Sequence, residues 1–279
     1  MIVVKKDIVY NRSSNRPILI DIFYKQDLKA KDIIVFSHGF KGFKDWGAFN
    51  QIANFFAEKG FVFIKFNFSH NGTTISKPLD FVDLDAFGNN NFSIELNDLD
   101  DVINWIYDCN WLRNEINLSK VSLLGHSRGG GISIIKASED KRITNIISWS
   151  SPSNFVKLID NDKANNWKED GVIYIYNGRT NQQMPMFYQF YIDVITNKDR
   201  FNILKASSSI DIPMLIVHGS KDPTVPIDDA ITINLSNPKS QLSIINDADH
   251  VFGVSHPYSN DELPMHLKEV LKITHEFLK

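Results

Sequence analysis

The sequence predicts an α/β protein with a mostly parallel central sheet of about eight strands and helices on both faces. Two observations carry this prediction. Short continuous apolar runs alternate with segments of helical periodicity from residue 32 to the C-terminal region, which is the pattern of βαβ units. The chain has 279 residues, of which 43% are hydrophobic, and this length accommodates one such sheet with an insertion.

The first part of the chain contains three predicted strands and then begins to alternate. The runs 2–10 and 17–24 alternate enough for antiparallel edge strands, whereas DIIVF is a continuous apolar run typical of a strand buried on both faces. The pattern beyond it predicts a helix over 48–60, a strand over 61–68, a long loop over 69–92 and a helix over 94–111.

The second part of the chain continues the alternation, with one interruption. Strands are predicted over 120–125, 142–150, 213–219 and 241–246, and helices over 129–138, 227–235 and from about 263 onward. Between 152 and 206 the alternation stops, aromatic residues are dense, and VIYIY runs into Asn177-Gly178, a dipeptide favoured in hairpin turns. We predict that 152–206 is an inserted cap and that 1–151 and 207–279 form the core domain.

Composition and charge argue against several classes of protein. The 30 basic and 33 acidic residues give a net charge of -3, without the basic excess of a nucleic-acid or membrane-surface binder. No apolar stretch approaches the ~18 residues of a membrane helix, and the N-terminus does not resemble a secretory signal. The single cysteine, Cys109, cannot form an internal disulfide. We therefore expect a cytoplasmic protein with no nucleic-acid or membrane partner; a homodimer is left open.

The stretch Gly125-His126-Ser127-Arg128-Gly129 lies where a predicted strand gives way to a helix. A serine hydroxyl is a weak nucleophile unless a base accepts its proton and its position is fixed. A sharp strand-to-helix turn fixes the position, and the residues two before and two after the serine must be small to avoid collision. Ser127 is therefore the candidate nucleophile, and the alternative is an incidental serine in a glycine-rich turn.

Two later residues complete the expected order of serine, acid and histidine. Asp222 follows the strand 213–219 and His250 follows the strand 241–246, so both lie where the carboxyl edge of the sheet should be. The alternative is that Asp222 is only a turn residue and His250 a surface histidine. Four other carboxylates are poorer candidates because they lie too close to His250 or at a helix start: Asp247, Asp249, Asp228 and Asp229.

An oxyanion needs two backbone donors. One candidate is the amide of Arg128, which follows the nucleophile. The other is the amide of Phe40, in a loop whose glycines allow close approach of the backbone. His38 in the same loop is expected to support the loop rather than act as a base.

Sequence motifs for metals and phosphate cofactors are missing. The chain contains no HExxH, no Cys–His cluster and no GxxxxGK[ST]. We expect neither a metal nor an organic cofactor.

Four motifs together resemble the α/β-hydrolase superfamily over nearly the whole chain: HGFKG, GHSRGG, HGSKDPTVP and DADHVF. Within that superfamily the chain is similar to the cinnamoyl/feruloyl esterase-like acyl hydrolases, which carry a compact cap at the position of 152–206. The fourth residue of the elbow is often Gln in that group. Arg128 therefore departs in its side chain, although only its amide is needed for the oxyanion.

The resemblance implies a serine hydrolase that cleaves small-molecule carboxylic esters through a covalent acyl-enzyme. Ser127 would attack, His250 would transfer the proton and Asp222 would orient His250. An amidase or aminopeptidase and a thioesterase with the same triad remain alternatives, as does a non-catalytic binding module of the same fold.

The aromatic insertion is expected to form the acyl pocket above Ser127. Phe187, Tyr188 and Tyr191 are the candidate lining residues, because the insertion leaves and rejoins the sheet beside the catalytic edge. The alternative is that these aromatic residues only pack the core of the cap.

Overall fold

A computed structural model describes residues 1–13, 16–156 and 164–279. Its main sheet has eight strands in the spatial order β1-β2-β4-β3-β5-β6-β9-β10. These strands are β1 (Ile2–Tyr10), β2 (Ile18–Lys25), β3 (Lys31–Ser37), β4 (Val62–Phe66), β5 (Ile116–His126), β6 (Ile143–Trp149), β9 (Met214–Gly219) and β10 (Gln241–Ile245). Strand β2 pairs antiparallel with β1 and with β4, and the remaining pairs are parallel. The predicted fold class is therefore confirmed.

Helices cover both faces of the sheet. They are α1 (Phe49–Glu58), α2 (Leu84–Gly88), α3 (Phe92–Asp108), α4 (Arg128–Glu139), α5 (Ala164–Asp170), α6 (Gln189–Thr196), α7 (Ile203–Ser209), α8 (Ile227–Ser236) and α9 (Met265–Phe277), with a short 3-10 helix at Asn110–Leu112. Alternate side chains of β5 enter opposite layers. Leu123 packs into the cluster that holds the buried faces of α3 and α4, and Leu124 into the cluster with α1 and α9.

Strand β2 was expected at an edge and instead lies inside the sheet. Its side chains from Ile18 to Tyr24 are all buried, because β1 pairs on one side and β4 on the other. The polar residue that makes the sequence alternate is Asp21, which is fully buried among lysines. The edge assignment holds for β1 only.

The predicted loop over 69–92 contains the short helix α2. Asp83 caps it, since its carboxylate accepts the amide of Ala86 at 3.0 Å. A five-residue helix is too short to show a helical period in the sequence.

The insertion contains the expected hairpin, but the turn is different. Strands β7 (Val172–Asn177) and β8 (Gln182–Phe187) pair antiparallel through Asn177 and Gln182, so the connecting loop has four residues rather than two. The residue with positive φ is Asn181, at +54°, and not the expected Gly178. Part of the predicted cap, 157–163, lies outside the described residues.

Candidate active site

Ser127 lies on a sharp turn between β5 and α4. Its φ of +56° and ψ of −126° lie in a backbone region that residues other than glycine rarely adopt. Its amide donates to the carbonyl of Trp149 at 2.8 Å. A Cβ on Gly125 would lie 2.1 Å from the carbonyl oxygen of Gly129, and one on Gly129 would lie 2.3 Å from that of Ser37. Only glycine fits at these two positions, as the sequence predicts for this turn.

His250 and Asp222 meet at the carboxyl edge of the sheet. Asp222 follows β9, His250 follows β10, and His250 Nδ1 lies 2.7 Å from Asp222 Oδ2. Asp222 Oδ1 accepts the amides of Thr224 at 2.8 Å and Val225 at 2.9 Å. His218 Nε2 lies 3.3 Å from Asp222 Oδ2. Both oxygens of the carboxylate are therefore held by donors.

The Asp222 side chain is fully buried and remains ionised. Burial alone would raise its pKa, but the hydrogen bonds from His218 and His250 and from the amide of Val225 hold that pKa well below the ordinary aspartate range. A carboxylate in this state accepts the Nδ1 proton of His250 and directs the opposite nitrogen, Nε2, outward.

The competing carboxylates on the same loop have other partners. Asp249 Oδ1 accepts the amides of Val251 at 3.1 Å and Gly253 at 2.8 Å. Asp247 pairs with the exposed Lys221 at 2.8 Å. The structure therefore brings Asp222, and neither of these two, to His250.

Two further buried histidines form hydrogen bonds with the backbone around the site. His126 Nε2 donates to the carbonyl of His250 at 2.8 Å. His38 Nδ1 donates to the carbonyl of Gly39 at 2.8 Å, and its Nε2 accepts the amide of Phe68 at 3.3 Å. Burial lowers the pKa of His126 to about 3 and that of His38 to about 4, so both are neutral near pH 7.

The loop after β3 closely approaches Ser127. A Cβ on Gly39 would lie 2.9 Å from Ser127 Cβ and 3.4 Å from its Oγ. Phe40 follows Gly39, and Arg128 is the first residue of α4. Both predicted oxyanion amides thus belong to segments that adjoin the serine.

The Arg128 side chain is buried behind Phe40. Its guanidinium carbon lies 3.9 Å from the centre of the Phe40 ring and also faces the ring of Phe190, on α6. Its charged partner is Glu95 Oε1 at 3.4 Å, and Glu95 is itself buried. This pair was not foreseen from the sequence. Through these contacts the Arg128 side chain connects the loop of Phe40, the start of α4 and the insertion.

A cleft of about 230 Å³ opens above Ser127 and His250. Phe40 and Lys41 line it from the loop after β3, and Asn177 and Arg179 line it from the hairpin of the insertion. Lys41, the two polar residues of the hairpin and His218, which lies beside Asp222, were not predicted as site residues from the sequence. The HGSKD motif contains His218 beside the strand end, and this position was the one available signal.

The three aromatic residues expected in the pocket lie elsewhere. None of Phe187, Tyr188 and Tyr191 is among the described residues that line the cleft. Phe187 packs on Gly88, where an added Cβ would lie 2.7 Å from its ring. Tyr188 and Tyr191 stack on each other at 5.3 Å and pack against Trp167. Tyr188 and Tyr191 thus pack within the insertion, as in the alternative, whereas Phe187 packs on α2, and the insertion reaches the cleft through its hairpin.

The described residues contain neither a candidate metal site nor a candidate membrane-spanning helix. No group of three or more His, Cys, Asp or Glu side chains is arranged to hold a metal ion within 1–13, 16–156 and 164–279. Across the same residues, no helix has both the length and the apolar character needed to cross a bilayer.

Comparison with known proteins places this chain among the α/β hydrolases. Residues 32–176 match the family described as "alpha/beta hydrolase fold", and the chain belongs to that family. No curated protein sequence matches it.

Solved structures of similar fold have low sequence identity to this chain. Est1E from Butyrivibrio proteoclasticus, with ferulic acid bound, has a TM-score of 0.74 at 15% identity over 97% of each chain. The esterase domain of a Rhodothermus marinus protein has a TM-score of 0.63 at 15% identity, over 99% of this chain and 97% of that one. The acylaminoacyl peptidase of Pyrococcus horikoshii has a TM-score of 0.68 at 14% identity, over 99% of this chain and 41% of that one.

Proposed function

We propose that the protein is a serine hydrolase that cleaves carboxylic esters through a covalent acyl-enzyme. The observation that carries the proposal is the 2.7 Å contact between His250 Nδ1 and the buried Asp222 carboxylate, beside a serine on a strained strand-to-helix turn. Family membership and the resemblance to esterase structures support hydrolase activity more generally.

The proposed reaction has two halves. Ser127 Oγ attacks the ester carbonyl while His250 Nε2 accepts its proton, and the same histidine then protonates the leaving alcohol. Water repeats the sequence on the acyl-enzyme and releases the acid. Asp222 keeps His250 in the required tautomer and stabilises the imidazolium.

The amides of Phe40 and Arg128 are proposed to hold the oxyanion at each tetrahedral stage. The Arg128 guanidinium is proposed to keep both amides in place, since it packs on the Phe40 ring and pairs with Glu95.

We also propose that 152–206 acts as the cap of this site, with 1–151 and 207–279 as its core. The support is that Asn177 and Arg179, within the insertion, line the cleft beside Ser127. The cytoplasmic location expected from the single cysteine remains a proposal.

An aminopeptidase with the same triad is the weaker candidate. Such an enzyme would need an acidic group to bind the substrate ammonium, and no Asp or Glu is among the described residues that line the cleft. The cations Lys41 and Arg179 lie there instead.

The test is hydrolysis of 4-nitrophenyl butyrate by the wild type and by Ser127→Ala. We expect kcat/KM to fall by at least about 10³-fold in the variant, because only binding and the oxyanion donors remain. Equal circular dichroism spectra would show that the fold is kept. The matching thioester and anilide, assayed in parallel, separate esterase from thioesterase and amidase. Undiminished ester hydrolysis by Ser127→Ala would contradict the assignment.

A further inference from the structure

The cleft above Ser127 has two cationic side chains and no anionic one among the described residues that line it. Lys41 comes from the loop after β3, and Arg179 comes from the loop between β7 and β8. Two separate segments of the chain therefore bring positive charge to the same opening, beside the proposed nucleophile.

Neither cation has a carboxylate partner in the part of the chain that the structure describes. Lys41 Nζ donates to the carbonyl of Tyr176 at 3.3 Å and lies 5.8 Å from the centre of the Phe40 ring. The Arg179 guanidinium lies over the rings of Phe43 and Phe81, at 5.4 Å and 5.3 Å from their centres. These contacts hold the two side chains in place without neutralising them.

The surroundings oppose the positive charge. Burial lowers the pKa of Lys41, and repulsion from Arg128 and Arg179 lowers it further. Burial also lowers the pKa of Arg179. The negative charge of Asp80 offsets part of this lowering, although the two side chains form no ion pair. A bound anion would relieve this repulsion.

The backbone at Lys41 is strained. Its φ is +55°, in the left-handed region. Glycine adopts this region without strain, whereas a residue with a side chain is strained there. Strain of this kind persists where the surrounding structure enforces it, and it clusters at sites of function.

A neutral donor lies next to the cations. Asn177 lines the cleft and is only 4% exposed. Its Oδ1 accepts the amide of Arg179 at 3.3 Å, and its Nδ2 is buried with no hydrogen-bond partner among the residues that the structure describes. A buried donor without a partner is costly, and a ligand oxygen would satisfy it.

We propose that this cleft binds a carboxylate of the substrate between Lys41 and Arg179, with Asn177 as a further donor, so that the preferred esters are anionic. The inference rests on the proposed function, because it assigns a substrate class to the same cleft. The negative group belongs to the acyl part or to the alcohol part of the ester, and the two arms of the test separate these.

Each arm compares a carboxylate with the uncharged amide of the same shape. The acyl arm uses mono-4-nitrophenyl adipate and 4-nitrophenyl 5-carbamoylpentanoate. The alcohol arm uses 4-acetoxybenzoate and 4-acetoxybenzamide. In one arm we expect the wild type to favour the carboxylate by at least about tenfold in kcat/KM, which corresponds to about 1.4 kcal/mol.

The variants are Lys41→Gln and Arg179→Gln, with Arg113→Gln as the matched control. Arg113 is exposed and its side chain donates to the carbonyl of Tyr107, so its replacement changes net charge equally without altering the cleft. The carboxylate-to-amide ratio should fall at least about threefold in each cleft variant, given the strength of charge-assisted hydrogen bonds, and should be kept in Arg113→Gln. A wild-type ratio near one in both arms would overturn the inference while leaving the esterase proposal standing.

A binding measurement keeps the inference testable if no ester is cleaved. Calorimetric titration of the Ser127→Ala protein reports anion binding without turnover. The ligands are monomethyl adipate and 4-acetoxybenzoate, each compared with its uncharged amide, methyl 5-carbamoylpentanoate or 4-acetoxybenzamide. Binding of the carboxylate alone, weakened by Arg179→Gln, would support the cleft even if the proposed hydrolysis failed. If neither carboxylate binds more tightly than its amide, the inference is overturned.

Discussion

Two lysines three residues apart in the same loop have opposite surroundings. Lys44 is fully buried, and its Nζ lies 2.9 Å from Asp21, 2.8 Å from Asp7 and 2.5 Å from Asp45. Lys41 faces the cleft and has no carboxylate partner among the described residues. The first lysine belongs to the structure of the sheet, and the second faces the space where a substrate would bind.

Charged side chains that stabilise the fold differ from those available to a ligand in whether they have partners of opposite charge. The Lys44 cluster, which also contains Lys65, is neutralised inside the fold: burial would lower the pKa of Lys44, but the carboxylates of Asp21 and Asp45 raise it to about 12. The cleft is instead lined by Lys41 and Arg179, neither of which has a carboxylate partner among the described residues. Charge that the fold leaves unbalanced beside a nucleophile is available to a ligand.

The largest effect is expected on the cleft side, from Asp222→Asn. This change should lower kcat by roughly 10³–10⁴-fold, because the amide no longer holds His250 in the right tautomer or stabilises the imidazolium. Steady-state kinetics on a 4-nitrophenyl ester measure it. Asp249→Asn is the matched control on the neighbouring loop and should have a much smaller effect, since Asp249 caps backbone amides. The reverse order would mean that the wrong acid has been assigned.

The next effect separates the two lysines by stability. Lys44→Met removes one of the two lysines that pair with the buried Asp21 and Asp45 and leaves their negative charge only partly balanced by Lys65, so it should lower the free energy of unfolding by about 3–5 kcal/mol. Lys41→Met breaks no ion pair among the described residues and should change it by no more than about 0.5 kcal/mol. Urea denaturation at pH 7 measures both. Equal losses of unfolding free energy in the two variants would mean that both lysines stabilise the fold to the same extent.

The smallest effect is a pH dependence of stability. Burial lowers the pKa of His126 to about 3 and those of His38 and His70 to about 4, from 6.5. The unfolded chain therefore binds more protons between about pH 6.5 and 4, and stability should decrease as the pH falls through that window. Asp98 opposes this between pH 3.8 and about 6, because burial raises its pKa.

Thermal unfolding from pH 7 to pH 4.5 checks this balance. The midpoint should decrease with pH, and the slope should be smaller in His126→Gln, which keeps a donor for the carbonyl of His250 but does not titrate. A midpoint that rises on acidification would mean that Asp98 and the other buried carboxyls outweigh the histidines.

The sequence predicted what depends on local motifs and on strand order. The glycines at 125 and 129 are required by contacts within a few residues or with the adjacent strand, and parallel strands bring Asp222 and His250 to one edge. The interior position of β2 could not be predicted in this way. Asp21 makes that strand look half-exposed, and only its pairing with Lys44 and Lys65, 23 and 44 residues away, allows burial.

The side chains that shape the cleft were harder to predict, for a similar reason. The Arg128 side chain depends on Glu95, 33 residues earlier in the chain. The aromatic residues of the insertion are numerous enough to suggest a pocket, but their direction depends on how the hairpin and α6 pack on α2 and α5. Composition does not encode that packing. The motifs that contain Lys41 and Asn177 indicate a loop and a hairpin turn rather than a contact with substrate, and no motif contains Arg179.

Covalent labelling tests the central claim most directly. The protein is treated with an alkyl fluorophosphonate, digested, and mapped by mass spectrometry. We expect phosphonylation at Ser127 alone. The rate of labelling should fall strongly in Asp222→Asn, and labelling should be abolished in Ser127→Ala. Labelling of another residue, or labelling that persists in Ser127→Ala, would contradict it.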